Sequence, residues 1–328
     1  MIIKRYIPAP YCGSQSIAQN TFIPYIKGIE QMFLDAGLVK SNTSTNIDTD
    51  NIQLPNVRNT GYNYMSKVLE FDLNDSMQVT NPFRIGMQFG TYWDNSATSS
   101  SYGVYPIFLV CKTYVINGIT NERVITSNST YMYGYTTRYA PHKYTTSGDY
   151  QAEVYDARAD SFIIAKDGFF AMCLSPGYDQ YNQSADNVHR PESSLFSLVI
   201  ERCGENINVL CPGTSQTSLD GIVGYTYRHG AEAIRTDSLT HYTDNGIVYQ
   251  NGKIVVFPKY IVDENNYIEQ SKNVVIVNAD TLNHSSEIDL IVNNDTAKFI
   301  AMPGKHGKFF KNTGRILVRY DDVPDITV

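Results

Sequence analysis

Residues 81–93, "NPFRIGMQFGTYW", decide what kind of fold this chain can adopt. Apolar residues alternate along it with arginine, glutamine and glycine, so the apolar pattern has a period of two. Successive side chains of a β-strand point to opposite faces of a sheet, and this alternation therefore predicts a strand with one buried face. The residues expected on that face are Phe83, Ile85, Met87 and Phe89.

More segments of strand length follow toward the C-terminus. "YPIFLVCKTYVI" (105–116) is a nearly continuous apolar strand, and "SFIIAKDGFFAMCLSPG" (161–177) and "SLFSLVIERCGENINVLCPG" (194–213) each predict two strands around a turn. "KNVVIVNADT", "EIDLIVNN", "AKFIAMPG" and "GRILVRYD" supply short strands after residue 270. Hairpin turns are expected at Asn117-Gly118, Asp167-Gly168, Gly204–Asn206 and Asn251-Gly252.

Residues 17–39, on the N-terminal side, have the spacing of a helix instead. We expect a helix near 22–36, with Pro24 in its first turn and Gly37 as its stop signal. Its apolar stripe recurs every three to four residues. The residues of that stripe are Phe22, Ile26, Ile29, Phe33 and Ala36.

These elements predict a mostly β protein: an antiparallel β-sandwich or barrel body, one N-terminal amphipathic helix and a smaller C-terminal β-domain. We place an N-terminal arm, the helix and a polar connector in residues 1–61, and the β-sandwich body in 62–235. The C-terminal β-domain is expected in 241–328, after the polar stretch "RHGAEAIRTDSLTHYTDNG".

Composition excludes several classes of protein. Of the 328 residues, 42% are hydrophobic, which is typical of a folded chain and not of a disordered one. The net charge of −7 disfavours nucleic-acid binding, which requires a basic surface. We find no apolar run of membrane-spanning length and no secretory signal, so folding in a cytoplasm is expected.

No sequence motif indicates a catalytic or metal centre. The patterns H-E-x-x-H, C-x-x-C and G-x-S-x-G are absent. The six histidines are far apart in sequence, and "MPGKHGKFF" (302–310) lacks the first glycine of a phosphate-binding loop. We therefore expect no enzyme activity, no metal and no cofactor.

Residues 131–150, "YMYGYTTRYAPHKYTTSGDY", contain six tyrosines. Tyr131, Tyr133 and Tyr135 alternate, so in a strand they would share one face. That face could pack on the protein's own core, bind a neighbouring subunit or stack against sugar rings. We favour the subunit interface, because tyrosine offers a large contact area at low entropic cost, and we include Tyr139 and the helix residue Phe33 in it.

Several phrases, taken in order, resemble a recurrent type of tailed-bacteriophage virion protein. "FLDAGLV" (33–39) is followed by a polar stretch and by "GYNYMSKVLEFDLNDSMQVTNPFRIGMQFGTY" (61–92), and later by "GFFAMCLSPG", "SLFSLVIERC" and "DGIVGYTY". In that type an F-x-x-N/D phrase precedes Q-x-T-x-P and a strand ending in I-x-x-x-(Y/F)-G. The residues in those places here are Phe71, Asn74, Gln78, Thr80, Pro82, Ile85, Phe89 and Gly90.

The resemblance spans roughly residues 17–225 and implies a structural component of the virion, in its tail or baseplate region. The implied partners are copies of this chain and other virion proteins, without catalytic residues. The tyrosine-rich segment and the C-terminal third depart from the resemblance. A second hypothesis for the chain stays open, that of a virion-displayed protein that binds a carbohydrate or receptor on the host surface.

Overall fold

The computed structural model describes residues 2–5, 7, 15–55, 61–93, 106–126, 130–132, 142–144, 150–152, 161–174, 196–212, 222–227, 233–236, 249–250, 253–254, 256–262, 267–277, 287–292, 295–302 and 315–321. The regular elements are β1 (Ile2–Arg5), α1 (Gln15–Asp35), β2 (Val39–Lys40), a 3-10 turn (Thr49–Asn51), β3 (Gly61–Tyr64), β4 (Leu69–Asp72), β5 (Phe83–Trp93), β6 (Pro106–Asn117), β7 (Arg123–Thr126), β8 (Thr130–Met132), β9 (His142–Tyr144), β10 (Tyr150–Ala152), β11 (Ser161–Lys166), β12 (Phe169–Leu174), β13 (Phe196–Cys203), β14 (Asn206–Pro212), β15 (Ile222–Tyr227), β16 (Ala233–Thr236), β17 (Tyr249–Gln250), β18 (Lys253–Ile254), β19 (Val256–Val262), β20 (Tyr267–Val277), β21 (Glu287–Val292), β22 (Asp295–Ala301) and β23 (Arg315–Arg319).

The strands form three main sheets. The first sheet has the order β2-β4-β5-β6-β7, with β3 also pairing with β5 and β8 with β6. The middle sheet has the order β1-β11-β12-β13-β14-β15-β16, and the C-terminal sheet the order β19-β20-β23-β22-β21. Neighbouring strands in them run antiparallel. The predicted fold class, mostly antiparallel β with one N-terminal helix and a smaller C-terminal sheet, is confirmed.

The hairpin turns follow from glycines that adopt a left-handed backbone. Between β11 and β12 the turn consists of Asp167 and Gly168, and Gly168 has φ +67°. Gly204, with φ +58°, opens the turn between β13 and β14. A residue without Cβ adopts such angles at little cost, so these two predicted turns are confirmed.

Helix α1 begins earlier than the sequence suggests. It spans Gln15–Asp35, so Pro24 lies inside the helix and not in its first turn. Proline lacks the N–H that would bond one turn back and crowds the carbonyl there. The buried stripe nevertheless holds this segment in the core, and Phe22, Ile26 and Ile29 are inaccessible to solvent. Packing has outweighed local propensity.

The C-terminal end of the helix matches the prediction. Gly37 has φ +85°, and its N–H donates to the carbonyl of Leu34 at 2.9 Å. The N–H of Leu38 donates to the carbonyl of Phe33 at 3.1 Å. These two bonds form a Schellman motif, in which glycine accepts the left-handed conformation that ends the helix.

The sheets stack in three layers around two hydrophobic cores. The first core contains residues of the helix, the first sheet and one face of the middle sheet. The second core contains residues of the other face of the middle sheet and of the C-terminal sheet. Along β12 the residues alternate between the two: Phe170 and Met172 face the first core, Phe169 and Ala171 the second. A strand buried on both faces is apolar at every position, which explains the continuous run of apolar residues in 169–174.

The predicted boundary between body and C-terminal domain falls largely outside the described residues and stays a prediction. Where the structure does describe the two parts, they share a core. Val274, Ile300 and Ile316 of the C-terminal sheet are buried in one cluster with Phe162 and Val199 of the middle sheet.

Candidate functional site

Two adjacent residues of β13, Glu201 and Arg202, contact different layers of the protein. Consecutive side chains of a strand point to opposite faces. Glu201 is therefore directed toward the C-terminal sheet and Arg202 toward the first sheet. Both side chains are almost fully buried, and both carry hydrogen bonds to residues far away in sequence.

Arg202 forms a bidentate ion pair with Asp75, which lies in the loop 73–82 between β4 and β5. Its Nε donates to Oδ2 of Asp75 at 2.5 Å and its Nη2 to Oδ1 at 3.0 Å. The side chains are only 4% and 1% exposed. The guanidinium also lies 5.1 Å from the ring centroid of Phe83. The two hydrogen bonds of the planar guanidinium make this a strong pair. Because the pair is buried, loss of either partner would leave the other charge without compensation.

Further hydrogen bonds fix the loop 73–82 to three neighbouring turns. Asn74, itself at φ +52°, donates from Nδ2 to the carbonyl of Gly37 at 3.0 Å. Ser76 donates from its backbone N–H and its hydroxyl to the carboxylate of Asp167. Asn81 donates from Nδ2 to the carbonyl of Glu205 at 2.8 Å. The loop is thus tied to the helix end and to two hairpin turns of the middle sheet, the one between β11 and β12 and the one between β13 and β14.

Gln78 and Pro82 shape the return of this loop into β5. The side-chain carbonyl of Gln78 accepts the N–H of Phe83 at 3.2 Å. The carbonyl of Pro82 accepts the N–H of Gly118 at 2.8 Å, and a Cβ at position 118 would lie 2.7 Å from Cβ of Pro82. Asn74, Gln78 and Pro82 therefore have structural roles in this loop, together with Gly37 and Arg202 next to it.

Glu201 is held by neutral donors from a distorted part of β20. Its Oε1 accepts the backbone N–H groups of Lys272 and Asn273 at 3.1 and 3.2 Å, and Nδ2 of Asn273 at 3.0 Å. Its Oε2 accepts the hydroxyl of Ser271 at 2.5 Å. The β19–β20 pairing shifts register between Pro258 and Tyr260, opposite residues 270–275. Such an irregularity frees backbone N–H groups from the ladder.

Two apolar side chains are exposed where the loop 73–82 lies beside the connection between β6 and β7. Val79, in the fixed loop 73–82, is 92% exposed, and Ile119, in the connection between β6 and β7, is 60% exposed. The Gly118–Pro82 hydrogen bond holds the two loops side by side. A large apolar side chain on a rigid loop loses little conformational entropy when a partner covers it, which is how a preorganised contact works. We call residues 76–80 and 118–121 the apolar loop end.

The outer face of the first sheet contains aromatic and polar side chains. Tyr62 and Tyr64 stack with ring centroids 6.1 Å apart, and Nζ of Lys112 lies 4.7 Å from the ring centroid of Tyr64. The hydroxyl of Tyr114 donates to Oε1 of Gln88 at 2.5 Å. Tyr62 is 44% exposed, so part of this face is open to solvent.

The predicted interface tyrosines are only partly described. Tyr131 lies in β8, where its backbone pairs with Val110, which in turn is opposite Gly90 of β5. Gly90 is also opposite Tyr64, so these positions share one row across the first sheet. Tyr133, Tyr135 and Tyr139 lie outside the described residues, and their interface role stays a prediction.

Phe33, the remaining residue of the predicted interface, is fully buried in the chain's own core. Its ring stacks on Phe71 of the first sheet at 4.6 Å and on Phe170 of the middle sheet at 5.4 Å. It therefore joins two layers of one chain and is not available to a partner subunit. The helical stripe serves internal packing at this position.

Burial shifts the protonation equilibria of two side chains in the first core. Burial raises the pKa of the Cys111 thiol and of the Tyr25 phenol well above their ordinary values, so both stay protonated at neutral pH. No group of three His, Cys, Asp or Glu side chains in the described ranges could hold a metal ion. Within the same ranges, no helix has the length and apolarity to cross a membrane.

Neither the ion pair of Asp75 with Arg202 nor the apolar loop end was predicted from the sequence. Asp75 and Arg202 are separated by more than a hundred positions, and nothing local signals their pairing. The weak signal for Val79 was a β-branched apolar residue in the mostly polar turn "NDSMQVTNP" (74–82). No protein-family model, no curated protein and no solved structure matches the chain.

Proposed function

We propose that this chain is a non-enzymatic structural component of a tailed-phage virion, in the tail or baseplate region, and that it acts through interfaces between many copies. The main support is the set of contacts around the ion pair of Asp75 with Arg202. Segments that carry the resemblance, though far apart in sequence, contact one another there. They are the helix end at Gly37, the loop 73–82, and the adjacent residues Glu201 and Arg202 of β13. A family likeness of phrase order has a physical basis when the phrases contact one another.

The apolar loop end is the assembly contact in this proposal. The joint holds Val79 and Ile119 in place at the surface, and neither side chain contributes to the chain's own core. Single exposed apolar residues are ordinary on a protein surface, whereas these two lie on loops that a hydrogen bond joins, and together they offer a partner a preorganised apolar contact. The partner is a neighbouring virion subunit, either a second copy or a different virion protein.

Purified particles of the phage that encodes the chain provide the test. Quantitative mass spectrometry should find the chain in the virion in multiple copies, and cryo-electron microscopy should place the apolar loop end against a neighbour. Complementation with Val79→Ser/Ile119→Ser should give folded protein that is missing from particles. Ile291→Ser is the matched control, because Ile291 is 76% exposed but lies on the C-terminal sheet. Absence of the wild-type chain from particles would refute the proposal.

A second function, binding of a host-surface glycan, is supported by the stacked Tyr62 and Tyr64 on the outer face of the first sheet. Aromatic rings next to hydrogen-bonding side chains such as Gln88 and Lys112 are suited to sugar recognition. A glycan array probed with the purified protein tests it. Specific signals that Tyr62→Ala removes, with unchanged incorporation into particles, would favour this function.

A further inference from the structure

The outer face of the first sheet carries a stripe in which aromatic rings and cations alternate. Its residues on β3 are Tyr62 and Tyr64, and those on β6 are Lys112 and Tyr114. Residues two apart on a strand share one face. Their pairing partners on β5 run from Gly86 to Tyr92, a distance of about 20 Å at the rise of a strand. The stripe is therefore long enough to contact several sugar rings in a row.

Two cations of this stripe are held on the faces of tyrosine rings. Nζ of Lys112 lies 4.7 Å from the ring centroid of Tyr64, and Cζ of Arg123, on β7, lies 3.9 Å from that of Tyr114. A guanidinium stacked on a ring keeps its N–H groups in its own plane, where they can donate to a further acceptor. Arg123 is exposed and Tyr114 is buried, so Arg123 is the member of this pair that a ligand would reach.

The carboxylates near these cations have other partners. Glu70 and Asp72 lie on β4 and share the outer face, but Oε2 of Glu70 lies 3.6 Å from Nε of Arg84. Glu122, next to Arg123 in sequence, accepts the hydroxyl of Thr120 at 3.3 Å.

Ion pairs within the described part of the chain join neither Lys112 nor Arg123 to an acidic side chain. The protein as a whole carries a net charge of −7, so these two cations beside an exposed ring are a local exception. Charge complementarity therefore favours a negatively charged ligand at this stripe.

We propose that the stripe binds an acidic saccharide, whose carboxylate or phosphate groups contact Lys112 and Arg123 and whose ring packs on Tyr62. The ring of Tyr62 is 44% exposed and is held by its stacking on Tyr64, with 6° between the ring planes. A neutral saccharide would gain the ring contact alone, so the two cations select the acidic one. The inference rests on the second function proposed above and names the class of its ligand.

A saccharide array with matched members tests this selection on the full chain. Each carboxylated saccharide is paired with its methyl ester, and each phosphorylated saccharide with its dephosphorylated form, so the two sources of negative charge are distinguished. Isothermal titration should show the acidic member of the best pair bound at least about tenfold more tightly, which is the contribution of one charge-assisted hydrogen bond. Higher ionic strength should reduce this preference, because the contact lies at the surface.

Lys112→Gln/Arg123→Gln should remove most of the preference for the acidic member. Lys27→Gln is the matched control, because Lys27 is also a surface cation but its side chain pairs with Asp50 beside the helix. It should keep the full preference. Thermal unfolding of both variants shows whether they are folded, and the salt dependence of the wild type tests the charge contact without any substitution.

The outcomes separate this inference from the proposed functions. Equal affinity of the wild type for acidic and neutral members overturns the selection and leaves glycan binding intact. Binding of no saccharide on the array overturns both, but not the structural role, which incorporation into particles measures. A preference that survives Lys112→Gln/Arg123→Gln places the anion contact elsewhere and overturns the assigned site. A preference lost in that variant and kept in Lys27→Gln establishes it.

Discussion

The two faces of the middle sheet are joined to their neighbours by opposite kinds of chemistry. On one face, the cation Arg202 meets the anion Asp75, and both charges are buried. On the other face, the anion Glu201 meets backbone and side-chain donors of residues 271–273. The first joint depends on two side chains. The second depends partly on backbone groups that no side-chain substitution removes.

This difference predicts unequal tolerance to mutation. Loss of one partner from a buried ion pair leaves the other charge without compensation, whereas loss of one donor from a set leaves the rest in place. The loop 73–82 should therefore be the more fragile attachment.

Arg202→Met should destabilise the protein most, because it leaves the Asp75 carboxylate buried without its cation. The expected loss is about 3–5 kcal/mol in the free energy of unfolding. Urea unfolding followed by tryptophan fluorescence measures it. Arg5→Met, which breaks an exposed pair with Asp35, should cost about 1 kcal/mol or less. Equal losses for the two variants would mean that the buried pair is not special.

Glu201→Gln should cost about 2 kcal/mol, less than Arg202→Met. The amide keeps one acceptor oxygen, but its NH₂ group meets donors where the carboxylate accepted hydrogen bonds. Ser271→Ala, which removes one donor to Glu201, should cost about 1 kcal/mol. Chemical denaturation of Arg202→Met, Glu201→Gln and Ser271→Ala under the same conditions gives the order of their free energies of unfolding. If Ser271→Ala cost as much as Glu201→Gln, the donors could not be acting as a shared set.

Gly37→Ala should destabilise the protein by about 1 kcal/mol through backbone strain alone. A Cβ at position 37 would meet no atom within 4 Å, so steric overlap does not contribute. Gly204→Ala is the matched comparison, because this turn glycine also has positive φ and open space around it. Similar losses in thermal unfolding would confirm strain as the cause, and a loss at Gly37 several times larger would contradict it.

Asp72→Asn should slightly stabilise the protein at neutral pH. Burial raises the pKa of Asp72 above its ordinary value of 3.8, although the hydrogen bond with Ser41 and the charge of Arg84 act to lower it. The folded state therefore binds this proton more tightly than the unfolded state, and stability is lost as pH rises through the folded pKa. The variant and the wild type should be equally stable below pH 3.8. Unfolding curves across pH test this sign, and a stabilisation confined to acid pH would reverse it.

The sequence predicts what is local in this protein. The period-two pattern of residues 83–89 gave the strand and its buried face, and Gly168 and Gly204 gave the turns, because backbone preference acts over a few residues. The helix start was wrong because Pro24 is an unfavourable local signal that tertiary packing overrides. The pairing of Asp75 with Arg202 could not be predicted, since a buried ion pair is defined by the fold and not by spacing.

The candidate site follows the same rule. The alternating tyrosine pattern indicated a strand but not its sheet, and the structure places Tyr131 in β8, next to β6 of the first sheet. For Phe33 the stripe indicated burial, but sequence could not tell an internal layer from a partner subunit. Val79 gave almost no signal, because a single exposed valine is common on protein surfaces. Its interest arises only from the rigid loop that carries it.

Native-state hydrogen exchange of Arg202→Met and Glu201→Gln determines whether neighbouring residues of β13 attach opposite layers. Arg202→Met should increase amide exchange in the loop 73–82 and leave the β20 segment 271–274 protected. Glu201→Gln should do the reverse, because its donors lie in the C-terminal sheet. If both variants increased exchange in the same layer, the two joints would not be separate, and the account would be wrong.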